Sequence, residues 1–133
     1  MKKIVSLLIL LAVCACSQRN LISEEEYLEY AKELGWDQPD SLKTPEQLAL
    51  LEKYKEVTIL NTVIKKNMMY LKVDRDYFIE QGLPAFCYDM TIFQYHNNNK
   101  FIKDFLKTEA GKMLDISEAF KEAQKEVLNK ISE

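Results

Sequence analysis

The sequence contains few glycines and prolines, the residues that interrupt helices and strands. Only 3 glycines and 3 prolines occur among its 133 residues, which argues against collagen-like, low-complexity and turn-rich all-β chains. The net charge of -3 shows no basic excess, so we expect no nucleic-acid partner. What remains is an ordinary balance of 47% hydrophobic and 29% charged residues, which excludes disorder along the whole chain. The length fits one domain.

The first residues form a basic start followed by an apolar run. Lys2 and Lys3 precede twelve uncharged residues, Ile4–Ala15. A membrane-spanning helix needs about 20 residues, whereas this length suits the apolar region of a secretory signal peptide. A buried core helix is the alternative, but it would normally carry a polar face, and this run contains only Ser6.

The segment at the end of this run, residues 12–17, reads Ala-Val-Cys-Ala-Cys-Ser. It resembles the lipobox of bacterial lipoproteins, in which a small residue precedes a cysteine that is lipidated and becomes the mature N-terminus. Cys16 fits better than Cys14, because the small Ala15 precedes Cys16 and the β-branched Val13 precedes Cys14. The resemblance implies a signal peptide at residues 1–15 and lipidation of Cys16.

The resemblance also implies a location. Ser17 and Gln18, rather than an aspartate, follow Cys16, which in diderm lipoproteins implies sorting to the outer membrane. Loss of Lys2 and Lys3 with the leader lowers the formal charge from -3 to -5. An acidic domain gains no attraction from anionic lipid headgroups, so we expect the acyl chains to anchor the protein and the domain to stand off the membrane.

After processing, Cys87 would be the last thiol, so the mature domain can form no intrachain disulfide. A lone cysteine is either buried and inert or exposed and reactive. Cys87 lies between Phe86 and Tyr88. This apolar setting favours a buried, structural residue.

Helix signals dominate the remaining chain, which we divide into a tether at residues 16–22 and a single helical domain at residues 23–133. Three starts carry a capping-box pattern: Ser23 with Glu26, Thr44 with Gln47, and Asp115 with Glu118. The first predicted helix covers residues 24–34 and ends before Gly35. Further helical patterns cover residues 74–81 and follow Pro84 and Asn99, and Asn97, Asn98 and Asn99 are predicted to form a loop or cap between the latter two. The helix that begins at Asp115 is predicted to bury Phe120, Ala123, Val127 and Ile131, and its Glu126 and Lys130 are well placed to pair one turn apart.

The second helix is predicted from Pro45 to about Lys72, because apolar residues recur there in steps of three and four. Residues 57–64 are rich in β-branched side chains, so a strand, or a break near Asn61, is the alternative. The predicted fold is therefore all-α, a small bundle of five or six helices.

Aromatic residues are concentrated in one part of the chain. Eight of the fourteen lie between Tyr77 and Phe105, where they form either the centre of the core or the floor of a ligand groove. We take the following as a candidate ligand or partner surface: Trp36, Phe86, Tyr88, Phe93, Tyr95 and His96. Trp36 follows a helix end, so it either folds back onto the core or stacks on a ligand.

No catalytic motif is present, and we predict no catalytic residue, no metal and no cofactor. His96 is nine residues from Cys87, which places the two on opposite faces of a shared helix and disfavours a Cys-His dyad. Asp74 and Asp76 resemble the start of a calcium loop, but Ile79 stands where that loop needs glycine. Capping a short helix is the better role for these aspartates.

The sequence favours a lipid-anchored cell-envelope protein at the outer membrane, facing the periplasm. Its acidic domain would be a non-enzymatic module for protein binding, assembly or inhibition, with another envelope protein as partner. The first alternative is a periplasmic carrier of a small apolar ligand, because methionines and aromatics cluster from Met68 to Phe105. The second is an enzyme that uses carboxylates or His96.

Overall fold

The computed structural model describes residues 21–133. The signal peptide at residues 1–15, the lipidation site Cys16 and most of the tether lie outside this range and stay predictions. Within it, every helix is too short or too polar to cross a lipid bilayer.

The described chain is mostly helical. Its α-helices are α1 (Glu24–Glu33), α2 (Pro45–Leu60), α3 (Arg75–Glu80), α4 (Ala85–Phe105) and α5 (Ile116–Ile131). A β-hairpin, β1 (Thr62–Lys65) and β2 (Met68–Leu71), lies between α2 and α3, and single 3-10 turns occupy Asp40–Leu42 and Gly111–Met113. The prediction of a helical domain is confirmed, but the description of it as all-α is wrong because of this hairpin.

The helix starts follow the predicted capping chemistry. The Ser23 hydroxyl accepts from the Glu26 amide at 3.1 Å, and the Glu26 carboxylate accepts from the Ser23 amide at 3.3 Å. Thr44 and Gln47 form the same reciprocal pair at 3.1 and 3.0 Å. Asp115 also caps its helix, but it accepts from the Ser117 amide at 3.1 Å rather than forming a box with Glu118.

Two helices end in the same glycine motif. Gly35 has a φ of 71°, and the amide of the next residue, Trp36, donates to the Ala31 carbonyl at 2.9 Å. Gly82, with a φ of 85°, ends α3 in the same way and places Leu83 against the core. This is the Schellman arrangement, in which the residue after the glycine is apolar and packs back on its helix. The predicted helix end at Gly35 is thus confirmed.

The long second helix was the wrong prediction, and the alternative break near Asn61 is correct. The Asn61 side-chain amide donates to the Val57 carbonyl at 2.8 Å and closes the end of α2. The strands pair antiparallel, with Val63 opposite Tyr70. Lys66 and Asn67 connect them, both with positive φ, as a two-residue hairpin requires. Apolar residues keep a spacing of three or four across this turn, so the pattern alone did not reveal the end of the helix.

Asn97, Asn98 and Asn99 were predicted as a loop or cap, and this is also wrong, because α4 runs through them without a break. The Asn99 side chain accepts from the Met69 amide at 2.7 Å and donates to the Met69 carbonyl at 2.9 Å. It thus satisfies both backbone groups on the open edge of β2. The asparagine serves the hairpin rather than the end of a helix.

The core lies where α1, α2, α3 and α4 meet. Its buried side chains are at most 5% exposed: Leu34, Tyr54, Val57, Phe78, Leu83, Cys87 and Met90. Helix α5 contributes no residue to this buried cluster and packs against α2 and β1. The hairpin bridges the two regions, because β2 contacts α4 and β1 contacts α5.

Helix α5 is less buried than predicted. Val127 is buried, Phe120 and Ala123 are half-buried, and Ile131 is exposed. Lys130 does not pair with Glu126 one turn earlier but with Glu52 of α2. The Gln124 side chain donates to the carbonyls of Ile59 and Thr62, each at 3.1 Å, and so covers the end of α2. Polar contacts therefore contribute much of the docking of α5.

Candidate functional site

Most of the predicted aromatic surface is internal packing between helices. Phe86 stacks on Tyr30 with a centroid distance of 4.7 Å, and Phe93 stacks on Tyr27 at 4.9 Å. These two pairs join α4 to α1. Tyr88 packs edge-on against the buried Phe78 at 5.5 Å. Phe86, Tyr88 and Phe93 therefore pack between helices.

Two buried hydroxyl pairs fix the position of α4. The Thr91 hydroxyl donates to the Cys87 carbonyl at 2.8 Å, so it must accept from the Tyr54 hydroxyl at 2.7 Å. Thr62 likewise donates to the Thr58 carbonyl at 2.6 Å and accepts from the Tyr95 hydroxyl at 2.8 Å. Burial raises the pKa of Tyr54 and of Tyr95, so both phenols stay protonated donors.

Cys87 and His96 both lie on α4, on opposite faces as predicted. Cys87 is completely buried, whereas His96 is exposed to solvent. Burial, with a smaller contribution from the charge of Asp89, raises the pKa of the Cys87 thiol to about 12. The two side chains therefore form no dyad, and the thiol is a core residue, as the sequence predicted.

Asp74 and Arg75 make contacts that stabilise the fold. Asp74 caps α3 by accepting from the Tyr77 amide at 3.0 Å, as predicted. Arg75 forms two hydrogen bonds of 3.2 Å to the carboxylate of Asp89 and so ties α3 to α4. Within residues 21–133, no three His, Cys, Asp or Glu side chains lie close enough together to hold a metal ion.

Trp36 and Tyr95 are the two predicted residues that share a concave site, which we call the Trp36 pocket. Its volume is about 310 Å³, and its apolar walls come from the segment after α1, from α2 and from α4. Trp36 stands edge-on to Tyr54, with ring centroids 5.8 Å apart, and remains 44% exposed. Leu51, Ile59 and Tyr95 complete the apolar wall.

Three polar residues also line the Trp36 pocket: Lys55, Thr58 and Gln94. Gln94 is held by a hydrogen bond to the Tyr27 hydroxyl. Thr58 is only 9% exposed, and its hydroxyl has no hydrogen-bond partner within the described residues. A buried hydroxyl without a partner is uncommon and destabilising. Hydrogen bonding is therefore incomplete at this wall of the Trp36 pocket.

A second hollow, which we call the α4–α5 groove, runs between those two helices and has a volume of about 350 Å³. Phe101 and Ile102 form one wall, Ile116 and Phe120 the other, and Met69 of β2 contributes to the lining between them. Ala119 and Ala123 also line the groove, and their small side chains leave space along α5. Phe101 is 70% exposed and stacks on Phe105 at 6.1 Å.

The α4–α5 groove was not predicted from the sequence. The aromatic residues up to Phe105 were predicted to form either the core or the floor of a ligand groove, and Phe120 and Ala123 were predicted to be buried. The available signal was a shortage of partners, since these apolar side chains lie near the end of the chain, where few other apolar segments remain to cover them. A stripe that nothing covers becomes a surface.

In comparisons with known proteins, no family model, no curated protein and no solved structure matches the chain.

Proposed function

We propose that this protein is a lipid-anchored component of the cell envelope whose helical domain binds another protein through the α4–α5 groove. The exposure of Phe101 carries the proposal. A phenylalanine that is 70% exposed beside an apolar groove of about 350 Å³ is costly to leave in water and is a good anchor for a partner. The lipobox resemblance at residues 1–17 supports the anchor.

The shape of the groove favours an amphipathic helix as the bound segment. Its walls are two helices, and Met69 of the hairpin lies in its lining. This is the arrangement in which a third helix buries a row of apolar side chains. Ala119 and Ala123 leave room for large side chains from that helix.

The net charge of the chain indicates the net charge of the partner. Without Lys2 and Lys3 the chain has a formal charge of -5, against -3 with them. An acidic protein recruits a basic partner faster than an acidic one. We therefore propose that the partner is a basic protein that faces the periplasm.

Site-specific photocrosslinking tests this proposal in the native envelope. A photoreactive phenylalanine analogue replaces Phe101 in one strain and Leu42 in another. Leu42 is the matched control, because it is 68% exposed and lies in the connector before α2, outside the groove. We expect one dominant adduct from position 101 and none from position 42.

A blocking variant makes the test specific to the groove. Ala119→Arg adds a long charged side chain at an exposed position of the α5 wall, so helix content measured by circular dichroism should not change. The adduct from position 101 should be lost in this variant. Equal labelling at positions 101 and 42, an adduct that survives Ala119→Arg, or an adduct with a second copy of the same chain would each overturn the proposal.

A further inference from the structure

The Trp36 pocket has walls that are fixed before any ligand arrives. Trp36 is placed by the helix-end motif at Gly35, where its amide donates to the Ala31 carbonyl. Tyr54 and Tyr95 are held from behind by Thr91 and Thr62, through hydroxyl contacts of 2.7 and 2.8 Å. A site whose walls are already ordered loses little entropy when a ligand binds.

The chemistry of the walls selects the apolar part of a ligand. Trp36 and Tyr54 meet at an interplanar angle of 82°, so a planar ring that stacks on one of them presents its edge to the face of the other. Aromatic rings prefer these two arrangements. The volume of about 310 Å³ is at the small end of the range for small-molecule sites, roughly 300–1,000 Å³.

The rim of the pocket selects the polar part. Lys55 is exposed and, among residues 21–133, forms no ion pair within 4 Å. Glu52, one turn before Lys55 on α2, is paired with Lys130. An ammonium group at the edge of an apolar pocket favours an anionic group that projects from a ring. Gln94 adds an amide on the opposite wall.

From these observations we infer that the Trp36 pocket binds a small aromatic carboxylate, with its ring packed against Trp36 and Tyr54 in the corner that they form and its carboxylate at Lys55. The inference is independent of the proposed protein partner, because none of the residues that line the α4–α5 groove lines this pocket. Failure at one site therefore says nothing about the other.

Trp36 is the only tryptophan in the chain, so its emission reports directly on this pocket. The full chain is reconstituted in phosphatidylcholine vesicles and titrated with phenylacetate, phenylacetamide and hexanoate, with empty vesicles as the blank. We expect a saturable change in emission with phenylacetate. Phenylacetamide, which lacks the charge, should bind at least about tenfold more weakly, since it cannot form a charge-assisted contact with Lys55.

Two lysines of α2 provide the matched variants. Lys55→Met should abolish the preference for phenylacetate over phenylacetamide, whereas Lys53→Met, at an exposed position outside the pocket lining, should preserve it. A Trp36→Phe chain followed by calorimetry shows whether binding depends on the larger ring, and we expect weaker binding there.

The outcomes separate the possible ligands. No saturable response to phenylacetate would overturn the inference, as would equal affinity for phenylacetamide or an unchanged preference in Lys55→Met. Hexanoate binding as tightly as phenylacetate would overturn the aromatic assignment and point to an aliphatic acid. A Phe101→Ser chain should behave as wild type, and a loss of binding in it would contradict the assignment to the Trp36 pocket.

Discussion

Three buried threonines show how one residue type takes different roles in this molecule. Thr62 and Thr91 each donate to a backbone carbonyl and accept from a tyrosine, so they join α4 to β1 and to α2. Thr58 is nearly as buried, but its hydroxyl has no partner within the described part of the chain. The first two should stabilise the fold, and the third should not.

Replacing Thr58 with valine should leave the free energy of unfolding unchanged or raise it by up to about 1 kcal/mol, because no hydrogen bond is lost. Thr91→Val should lower it by about 1–3 kcal/mol, because Tyr54 is left without its buried acceptor. Urea unfolding of each full-length variant, followed by Trp36 emission, measures the difference. Equal losses in the two variants would show that Thr58 has a partner of its own.

The thiol of Cys87 should be almost unreactive in the folded chain. It is fully buried, and its pKa of about 12 leaves very little thiolate at pH 8. In a full chain carrying Cys14→Ala and Cys16→Ala, labelling by a disulfide reagent should be at least about a hundredfold slower than after unfolding in urea. Rapid labelling of the folded chain would contradict the buried position.

At the scale of elements, the ends of the helices are set by contacts within a few residues of each end. Gly35 and Gly82 both have positive φ, where other residues cost roughly 1–2 kcal/mol. Their surroundings differ. A Cβ on Gly82 would meet nothing within 4 Å, whereas a Cβ on Gly35 would lie 2.9 Å from the Gln47 side chain.

Alanine at these two glycines should therefore give unequal losses of stability. Gly82→Ala should lower the free energy of unfolding by about 1 kcal/mol, from backbone strain alone. Gly35→Ala should cost about 1 kcal/mol more, because it also displaces Gln47, whose side chain accepts from the Thr44 amide at 3.0 Å. Urea unfolding compares the two. A larger loss at Gly82 would contradict this account.

The hairpin shows how side chains can complete an element that is too small to be stable alone. Two strands of four residues are marginal by themselves. Asn99 bonds both backbone groups of Met69. Asn67, in the turn, donates to the Leu114 carbonyl and accepts from the Ile116 amide, each at 3.0 Å. The hairpin is thus held by α4 on one side and by the start of α5 on the other.

At the scale of the whole molecule, the α4–α5 groove and the Trp36 pocket share no lining residue, and the predicted lipid would attach near the first helix. The α4–α5 groove suits a helix of another protein, and the Trp36 pocket suits a small acid. Cys16 lies only seven residues before Ser23, the cap of α1. A tether of that length, at most about 3.5 Å per residue, would hold the start of α1 within about 25 Å of the membrane surface.

Attachment through Cys16 can be tested directly. Cys16→Ala should remove the mass of the acyl chains and give either a protein in the soluble fraction or an unprocessed protein that keeps its signal peptide. Cys14→Ala should change neither the mass of the acyl chains nor the membrane location. Fractionation with mass spectrometry of the mature protein measures this. Loss of the lipid in Cys14→Ala but not in Cys16→Ala would show that the other cysteine of the lipobox is the acceptor.

Short-range chemistry made much of the fold predictable. Ser23, Thr44 and Asp74 cap their helices as the sequence indicated, and Gly35 ends α1, because each of these contacts joins residues only a few positions apart. The burial of Cys87 followed from its apolar neighbours. These features depend on local geometry, which can be predicted from a few consecutive residues.

The tertiary structure decided the rest, because it depended on partners far apart in the chain. Asn99 became part of a helix that braces Met69, thirty residues away. Trp36 and Tyr95 formed one pocket while Phe86 and Phe93 became packing for α1. The groove beside Phe101 exists because nothing in the described chain covers two apolar stripes. An apolar pattern indicates which side chains are favoured in the core, and only the packing of the whole chain determines which of them are buried.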